Sequence, residues 1–346
     1  MRITKAAILS QINQPLEIEE IIIPELKRGQ VLVKIAYSGV CHTQLNEIKG
    51  LKGEDKFLPH TLGHEGSGIV EAIGADVTKV RPGDHVVLTW IKGSGIDVPA
   101  TQYKMQDETL VNSGAISTFM EYAVISENRL VLIPKEMPLK EAALFGCAIP
   151  TGAGLVFNIL KTKIGDTLAI FGVGGIGMSV LLAARAKEAS TIIAVDILDN
   201  KLDDALRLGA TYTINAKKED VLSKISKITD KRGVDYAIEC VGKKESMEIA
   251  FKSVRDKGGV CVIAGNLPQG EQLLIDPFDL IKGKRIIGTW GGETNPDTDI
   301  KLYVSMYLEK KLNLHLIPVS LFGLEQINLA MKSLEDGNIG RAIIEY

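Results

Sequence analysis

Two patterns of hydrophobic and polar residues divide this chain. Up to about residue 150, short strand-like runs are broken by glycine and proline, as in VLVKIAYSGV (31–40), GSGIVEAIGA (66–75) and DHVVLTW (84–90). Runs of this length, bounded by turn-forming residues, are typical of β-strands. The first part of the chain therefore predicts a β-rich domain of the meander or barrel type.

After about Thr151 the pattern changes to short apolar runs that alternate with amphipathic stretches of helix length. The strand-like runs are TLAIFGV, TIIAVDI, YTIN, VDYAIEC, GVCVIAG and RIIGTW, and the helical stretches are MSVLLAARAKEA, NKLDDALRLGA and ESMEIAFKSV. Such alternation is typical of a parallel sheet with helices on both faces. The predicted fold class is α/β, with a doubly wound parallel sheet following the β-rich domain.

The last part of the chain, from about Thr294, contains two further helical stretches and a final strand, RAIIEY. By pattern alone these elements fit either domain. We assign 1–150 and 291–346 to the β-rich domain and 151–290 to the α/β domain. A chain of 346 residues is long enough for two domains with separate cores.

Composition excludes several classes of partner. With 45% hydrophobic and 24% charged residues and a formal net charge of −3, the chain is typical of a soluble globular protein and has no basic surplus for nucleic acid or an anionic membrane. The apolar run before Gln11 is too short for a secretory signal, and no apolar run is long enough to span a bilayer. A cytoplasmic protein that acts on small molecules is expected.

The four cysteines are far apart in sequence and lack the spacing of a disulfide framework: Cys41, Cys147, Cys240 and Cys261. Free thiols or metal ligands are therefore expected rather than disulfides.

The segment GVGGIG matches the pattern G-x-G-x-x-G through Gly172, Gly174 and Gly177, with Gly175 between them. It follows a predicted strand and opens a predicted helix, and Asp196 ends the next strand. The glycines would let the backbone approach a pyrophosphate, and the acid would accept hydrogen bonds from ribose hydroxyls. The carboxylate would also repel a 2′-phosphate, so NAD is expected rather than NADP. The alternative is a glycine-rich turn of another α/β fold, in which Asp196 merely ends a strand.

Three possible metal ligands stand in separate predicted loops: Cys41 in AYSGVCHTQ, His64 in LGHEGSG and Cys147 in GCAIPTG. Two thiolates and an imidazole suit tetrahedral zinc with a fourth position open to water or substrate. None of the three has another ligand at short spacing, however, and a lone cysteine is more often a small buried hydrophobe. The residues alone leave both interpretations open.

The order of these motifs resembles the zinc-dependent medium-chain alcohol dehydrogenases over nearly the whole chain. The motifs that carry the resemblance are GVCHT, GHEGSGIVEAIG, RPGDHV, GCAIPTG, GVGGIG followed by Asp196, and GRAIIEY. The similarity is greatest to the branch of classical and glutathione-dependent formaldehyde dehydrogenases. It implies a GroES-like catalytic domain with a Rossmann cofactor domain, assembled as a homodimer through RIIGTW or as a homotetramer.

The resemblance also implies roles for residues near the metal. Cys41, His64 and Cys147 match the ligands of a catalytic zinc. Glu65 matches the acid beside that metal, a catalytic residue that would support the zinc or transiently contact it. Thr43 matches the residue whose hydroxyl relays the proton of the substrate alcohol. The glycines around His64 would let the backbone turn under the metal.

For the cofactor, the resemblance implies that His42 and Arg341 contact the pyrophosphate of NAD, that Lys201 lies near the adenosine ribose, and that Thr151 packs against the nicotinamide. Because Asn46 stands where some members have a relay histidine, His42, water or the cofactor ribose would complete the proton path. Two simpler alternatives are that Thr151 caps the N-terminus of a helix and that His42 is a solvated loop histidine.

Two departures from the family pattern change the expected metal content. Residues 91–146 contain no cysteine, whereas relatives commonly hold a structural zinc with four cysteines in this lobe. One catalytic zinc per chain and no structural zinc are therefore expected, with a remodelled lobe at 91–117 stabilised by contacts alone. Gln44 replaces the usual aspartate that orients the histidine ligand; its amide oxygen could still accept the imidazole N–H, but without the charge. Weaker zinc binding or a changed metal potential is therefore expected, rather than loss of the site.

The predicted function is transfer of a hydride between a primary or secondary alcohol and NAD, or from NADH to an aldehyde or ketone in reverse. Zinc would act as a Lewis acid and the cofactor would carry the hydride chemistry, with Trp90 among the residues that line the substrate site. One alternative is a zinc-free reductase of the quinone or enoyl type, which would lack the three ligands. Another is a non-catalytic nucleotide-binding protein built on the same scaffold.

Overall fold

The computed structural model describes residues 2–268, 270–337 and 339–346, and the chain divides into two compact units. Unit 1 comprises Met1–Cys147, Asn295–Glu309 and Val319–Tyr346, and unit 2 comprises Ala148–Thr294 and Lys310–Pro318. The prediction placed 310–318 in the first domain, but these residues group with unit 2. Within this segment, Leu312 and Leu314 are buried.

The strands of the described chain are β1 (Arg2–Leu9), β2 (Glu17–Ile23), β3 (Gln30–Val40), β4 (His60–Thr61), β5 (Glu65–Ile73), β6 (His85–Thr89), β7 (Tyr103–Met105), β8 (Leu110–Val111), β9 (Tyr122–Ser126), β10 (Leu130–Leu132), β11 (Thr167–Phe171), β12 (Thr191–Asp196), β13 (Tyr212–Asn215), β14 (Tyr236–Glu239), β15 (Val260–Ile263), β16 (Arg285–Gly288), β17 (Val319–Gly323) and β18 (Arg341–Glu345).

The α-helices are α1 (His42–Ile48), α2 (Leu139–Ala142), α3 (Ala148–Gly154), α4 (Gly175–Ala186), α5 (Asp199–Leu208), α6 (Val221–Ile228), α7 (Lys244–Ser253), α8 (Pro277–Ile281), α9 (Lys301–Leu308) and α10 (Ile327–Glu335). None of the helices in the described ranges is by itself long and apolar enough to cross a membrane. Taken together, the two helical segments of one bent pair, Leu139–Gly146 and Ala148–Ile159, reach the length and apolar composition of a membrane span.

Unit 1 contains two β-sheets, as the alternation of short runs and turns predicts. The order β4-β1-β2-β7-β8 forms one sheet, and β10-β6-β5-β3-β18-β17 forms the other, with β9 also paired to β3. The long strand β3 is the centre of the second sheet, because it pairs with β5, β9 and β18 along its length. One core packs residues such as Ile8, Val33 and Leu88, and a second packs Leu9, Val40 and Ile327.

Unit 2 contains a six-stranded parallel sheet in the order β13-β12-β11-β14-β15-β16. The reversal of strand order beside β11 is that of a doubly wound fold, whose ligand sites lie at the carboxyl ends of the strands. The predicted α/β class is confirmed. Two helix boundaries follow from residue types. Asp220 caps the N-terminus of α6 by accepting the N–H of Ser223, and α5 ends at Gly209, which adopts the left-handed conformation.

An ion-pair network joins the first residue of β11 to the residue before β14. Asp235 accepts hydrogen bonds from the backbone N–H and the hydroxyl of Thr167 at 2.9 and 2.8 Å, and it pairs with Arg255 at 2.6 Å. Burial opposes ionisation, but these partners outweigh it and lower the pKa of Asp235 from 3.8 to about 2. The carboxylate thus stabilises the centre of the parallel sheet.

We predict that Asp235→Asn lowers the free energy of unfolding by about 1–3 kcal/mol at pH 7, because Arg255 and Thr167 lose a charged acceptor. A carboxyl group whose folded pKa is depressed stabilises the fold above its ordinary pKa of 3.8, and this contribution is lost as the pH falls toward about 2. The difference in the free energy of unfolding between wild type and variant, measured by denaturant unfolding, should therefore shrink below about pH 4 and nearly vanish toward about pH 2. Asp230→Asn, at an exposed turn, is the control; a difference of the same size there, or one independent of pH, would contradict the prediction.

Candidate metal centre and cofactor loop

Three possible metal ligands come together within unit 1. Cys41 lies between β3 and α1, His64 immediately precedes β5, and Cys147 follows the 3-10 turn Ala143–Gly146. Their ligand atoms all lie within 4.8 Å of one another, and Nε2 of His64 is 3.2 Å from Sγ of Cys147. In the part of the chain that the structure describes, this is the one such group of histidine, cysteine or acidic side chains. The set fits a single metal ion with soft ligands.

The glycines around His64 serve two different purposes. Gly63 has a φ of 96°, and a Cβ there would overlap the hydroxyl of Thr118. Gly68 lies within β5, where a Cβ would overlap the carbonyl oxygen of Lys34 on β3. The predicted turn is therefore formed by Gly63, whereas Gly68 allows two strands to approach closely.

The pKa values of the three candidate ligand side chains depend on one another. The hydrogen bond with Cys147 lowers the pKa of Cys41 well below its usual range, and the same contact raises the pKa of Cys147. Burial alone would lower the pKa of His64, but its hydrogen bond with Cys41 raises that pKa instead. The surroundings thus favour a thiolate at Cys41, and thiolate is the form of cysteine that binds zinc.

Glu65 and Arg341 form a buried ion pair beside the ligands, with 0% and 4% of the two side chains exposed. Burial disfavours the charged guanidinium, but the carboxylate of Glu65 more than compensates and raises the pKa of Arg341. Sequence reasoning missed this pair, because its members are 276 positions apart. Arg341 neutralises the acid here, and its contact with a cofactor pyrophosphate stays a prediction.

Gln44 bridges two of the ligands and is 1% exposed. Its Oε1 accepts the backbone N–H of Cys41 at 2.9 Å, and its Nε2 contacts Nδ1 of His64. The expectation that its amide oxygen accepts the imidazole N–H is therefore wrong. The physical reason is that the N–H of Cys41 can only donate, so it holds Oε1 on its own side and leaves the amide NH₂ group facing His64.

The residues that follow Cys41 form the first turns of α1. Thr43 is half-buried, with its Oγ1 3.7 Å from Sγ of Cys41, so its hydroxyl lies beside a ligand sulfur. His42 begins the helix and is exposed, and Asn46 is half-buried one turn later. Proton transfer by Thr43 and His42 stays a prediction. Trp90 packs against the first core of unit 1.

The glycine motif lies between β11 and α4 in unit 2, and Gly174 caps the helix that Gly175 begins. A Cβ at Gly177 would overlap the carbonyl oxygen of Gly172, so packing itself requires glycine there. A Cβ at Gly174 would meet no atom within 4 Å. The backbone φ of Gly174 is −86°, a value that any residue can adopt. The protein has no packing reason for glycine at Gly174, and the space above it suits a pyrophosphate at a helix N-terminus.

Asp196 organises this loop. Its Oδ2 accepts the N–H of Val173 at 2.8 Å, and its Oδ1 accepts the N–H groups of Ile197 and Leu198 at 2.7 and 3.1 Å. Sequence reasoning missed this role, because the strand-end position indicates a ribose contact but not a bond to the glycine loop. The ribose contact itself stays a prediction.

The remaining predicted cofactor residues are buried in unit 2. Lys201 lies in the first turn of α5 and is 6% exposed. Thr151 is inside α3 and is also buried. The alternative that Thr151 caps a helix N-terminus is wrong, because α3 already begins at Ala148.

The lobe at 91–117 contains the short strands β7 and β8 and is joined to neighbouring loops by a buried acid. The carboxylate of Glu127 accepts the N–H groups of Ile96, Thr78 and Lys79 at 2.8, 3.0 and 3.1 Å. Burial opposes ionisation, but these three donors lower the pKa of Glu127. No sequence motif indicated this anchor.

Comparison with known proteins gives the same assignment for both parts of the chain. Residues 27–135 match the alcohol dehydrogenase GroES-like domain, and residues 175–307 match the zinc-binding dehydrogenase family. The chain is 34% identical to an S-(hydroxymethyl)glutathione dehydrogenase of Synechocystis over 369 aligned positions, which cover 99% of this chain and 100% of the relative.

Solved structures agree with the sequence relatives. An alcohol dehydrogenase zinc-binding domain protein from Burkholderia ambifaria matches with a TM-score of 0.92 and 34% identity, covering 99% of each chain. Benzyl alcohol dehydrogenase from Acinetobacter calcoaceticus matches with a TM-score of 0.90 and 32% identity, covering 100% of this chain and 99% of the other.

The chain therefore belongs to the zinc-dependent medium-chain alcohol dehydrogenase family and resembles its glutathione-dependent branch. Unit 1 is its GroES-like domain and the parallel sheet of unit 2 is its Rossmann domain. The family catalyses alcohol and aldehyde oxidoreduction, and the predicted family, fold and reaction class are confirmed.

Elemental analysis of the purified chain should find about one zinc per chain, because one soft ligand cluster is present and the lobe lacks cysteine. Cys41→Ala should lose most of this zinc. The matched control is Cys261→Ala, which removes a buried thiol from the core of unit 2 and should leave the zinc in place. Two zinc ions per chain, or full zinc content in Cys41→Ala, would contradict the ligand assignment.

Proposed function

We propose that this chain is an NAD-dependent alcohol dehydrogenase in which Cys41, His64 and Cys147 hold one catalytic zinc. The observation that carries the proposal is the convergence of these three side chains on one point, with the hydroxyl of Thr43 beside Cys41. A zinc-free reductase would have no use for this ligand set. A non-catalytic nucleotide-binding protein would have no use for the hydroxyl.

When bound, zinc would supply Lewis-acid polarisation of the substrate oxygen, and NAD would accept the hydride. The residues of the chain hold the ligands and handle the proton. Thr43 can accept a proton and donate one at the same oxygen, which suits it to take the alcohol proton at the start of α1. His42, exposed on the same turn, would pass that proton to solvent.

Glu65 and Arg341 support the ligands without binding substrate in this proposal. Because the charge of Arg341 neutralises that of Glu65, the carboxylate can be buried beside the candidate ligands. A carboxylate there would also disfavour a second anion at the centre. The pair therefore helps to keep the net charge around the metal fixed.

The preference for NAD is proposed from Asp196 and the glycine loop. Gly172, Gly174, Gly175 and Gly177 would hold the pyrophosphate, and Asp196 would bind the ribose hydroxyls and repel a 2′-phosphate. Lys201, Thr151 and Arg341 would complete the cofactor contacts, as the family resemblance implies.

The substrate is proposed to be a small primary or secondary alcohol. The names of two relatives suggest the first compounds to try, S-hydroxymethylglutathione and benzyl alcohol. A cytoplasmic location and assembly as a homodimer or homotetramer belong to the same proposal. The edge strand β16, with Ile287 and Trp290 exposed near it, supports pairing of two copies through that edge.

We expect the purified, zinc-loaded chain to reduce NAD with at least one alcohol of such a panel. Thr43→Ala should lower kcat by about 100-fold or more, because general acid–base catalysis is lost, whereas Thr43→Ser should keep most of the activity. Both variants should keep their zinc. A Thr43→Ala enzyme with wild-type kcat would contradict the proton role, and no turnover by a zinc-loaded chain would contradict the function.

Asp196→Ala should raise the KM for NAD roughly tenfold, because hydrogen bonds to a charged acceptor are lost, and should improve the use of NADP relative to NAD. Steady-state kinetics with both cofactors measure this. Asp203→Asn, which removes an exposed carboxylate from α5, is the charge control and should leave the ratio unchanged. If Asp196→Ala raises the KM for NAD and the KM for NADP by the same factor, Asp196 acts on the loop alone and does not select NAD.

A further inference from the structure

We propose that Gln44 is a positioning residue that presents a hydrogen-bond donor to Nδ1 of His64, so that in the metal-free protein the ring carries its proton on Nε2, the nitrogen that faces the metal position. Gln44 thereby restrains metal uptake. The hydrogen-bond pattern follows from the structure alone, whereas its consequence for zinc rests on the ligand set proposed above.

The direction of the Gln44 amide is fixed by the backbone of Cys41. The N–H of Cys41 lies 2.9 Å from Oε1 of Gln44, and a backbone N–H can only donate. Turning the amide over would place its NH₂ group against that N–H, with two donors facing each other at a side chain that is 1% exposed. A buried polar group without an acceptor is strongly disfavoured.

The fixed amide in turn sets the proton of His64. With Oε1 directed at Cys41, the group in contact with Nδ1 of His64 is the amide NH₂. An amide nitrogen has no acceptor capacity, so Nδ1 must be the acceptor. A neutral imidazole with an acceptor at Nδ1 carries its hydrogen on Nε2.

The third contact agrees with this arrangement. Nε2 of His64 is 3.2 Å from Sγ of Cys147, which is within hydrogen-bond distance of a sulfur acceptor. The donors therefore run in one direction, from the N–H of Cys41 to Gln44, from Gln44 to His64, and from His64 to Cys147. Each buried group in this sequence has a partner of the opposite kind.

Metal binding through Nε2 conflicts with this pattern. For that nitrogen to offer its lone pair, its proton must leave, and a ring that stays neutral must then carry a proton on Nδ1. Gln44 can accept that proton's hydrogen bond solely by turning over, which breaks the bond to Cys41. A carboxylate of the same length would accept from Cys41 and from His64 at once, so Gln44→Glu removes the conflict with little change in shape.

The first test determines the proton position of His64 in the wild-type chain. Long-range ¹H–¹⁵N correlation spectra of the metal-free wild-type chain, labelled at histidine, show which ring nitrogen of each histidine carries the proton. The signals of His64 are assigned by their loss in His64→Gln. We expect the proton on Nε2 in wild type and on Nδ1 in Gln44→Glu. A wild-type ring protonated on Nδ1 would overturn the inference, whether or not the variant folds.

The second test measures zinc affinity by competition with a chromogenic chelator. Gln44→Glu should bind zinc about tenfold more tightly or better, the usual effect of a partner that orients a metal ligand. Asn46→Asp adds the same charge to α1 two positions away and should change the affinity much less. Equal gains in the two variants would mean that charge alone acts, and no gain in Gln44→Glu would mean that Gln44 is no restraint; either result overturns the inference.

These readouts separate the inference from the proposed function. An enzyme that binds zinc and oxidises alcohols, with the same zinc affinity in wild type and Gln44→Glu, would retain the function and overturn the inference. A chain with the expected tautomer and the expected gain in zinc affinity, but without turnover, would retain the inference and overturn the function.

Discussion

The metal centre depends on the antiparallel pairing of β3 with β5. In this register Ser38 lies opposite Gly66, so the residue after the end of β3 and the residue before the start of β5 come out at the same edge of the sheet. Cys41 and His64 are those neighbouring residues. The ladder of backbone hydrogen bonds thus fixes two ligands from well-separated parts of the sequence, and small residues such as Gly68 permit the close approach of the strands.

The strand β3 also positions Arg341, whose positive charge balances that of Glu65. β18 pairs with the C-terminal end of β3, with Ala342 opposite Val40, and Arg341 pairs with Glu65. A buried carboxylate without its partner is strongly unfavourable, so the acid beside the ligands and the last strand of the sheet stabilise each other. Ligand geometry and local charge are therefore both consequences of one three-strand arrangement.

Sequence patterns were sufficient for the features that repeat or stand in motifs. The parallel strands of unit 2 and the glycine loop with Asp196 were visible, because each depends on local residue types and order. The three candidate ligands were assigned through the order of motifs that resembles the family. The partner of Glu65, the anchor at Glu127 and the direction of the Gln44 amide were not. Each depends on which group a distant backbone presents, and residue identity does not reveal whether a neighbour donates or accepts.

The position of β18 has a consequence for how the sheet can come apart. The arginine that neutralises Glu65 lies 276 positions further along the chain, on a strand that pairs with β3 through a few residues. If β18 separated from β3, it would leave both an unpaired strand edge and an uncompensated buried acid beside the candidate ligands. Opening of this one strand is therefore disfavoured by lost backbone hydrogen bonds and by an exposed charge imbalance at the same time.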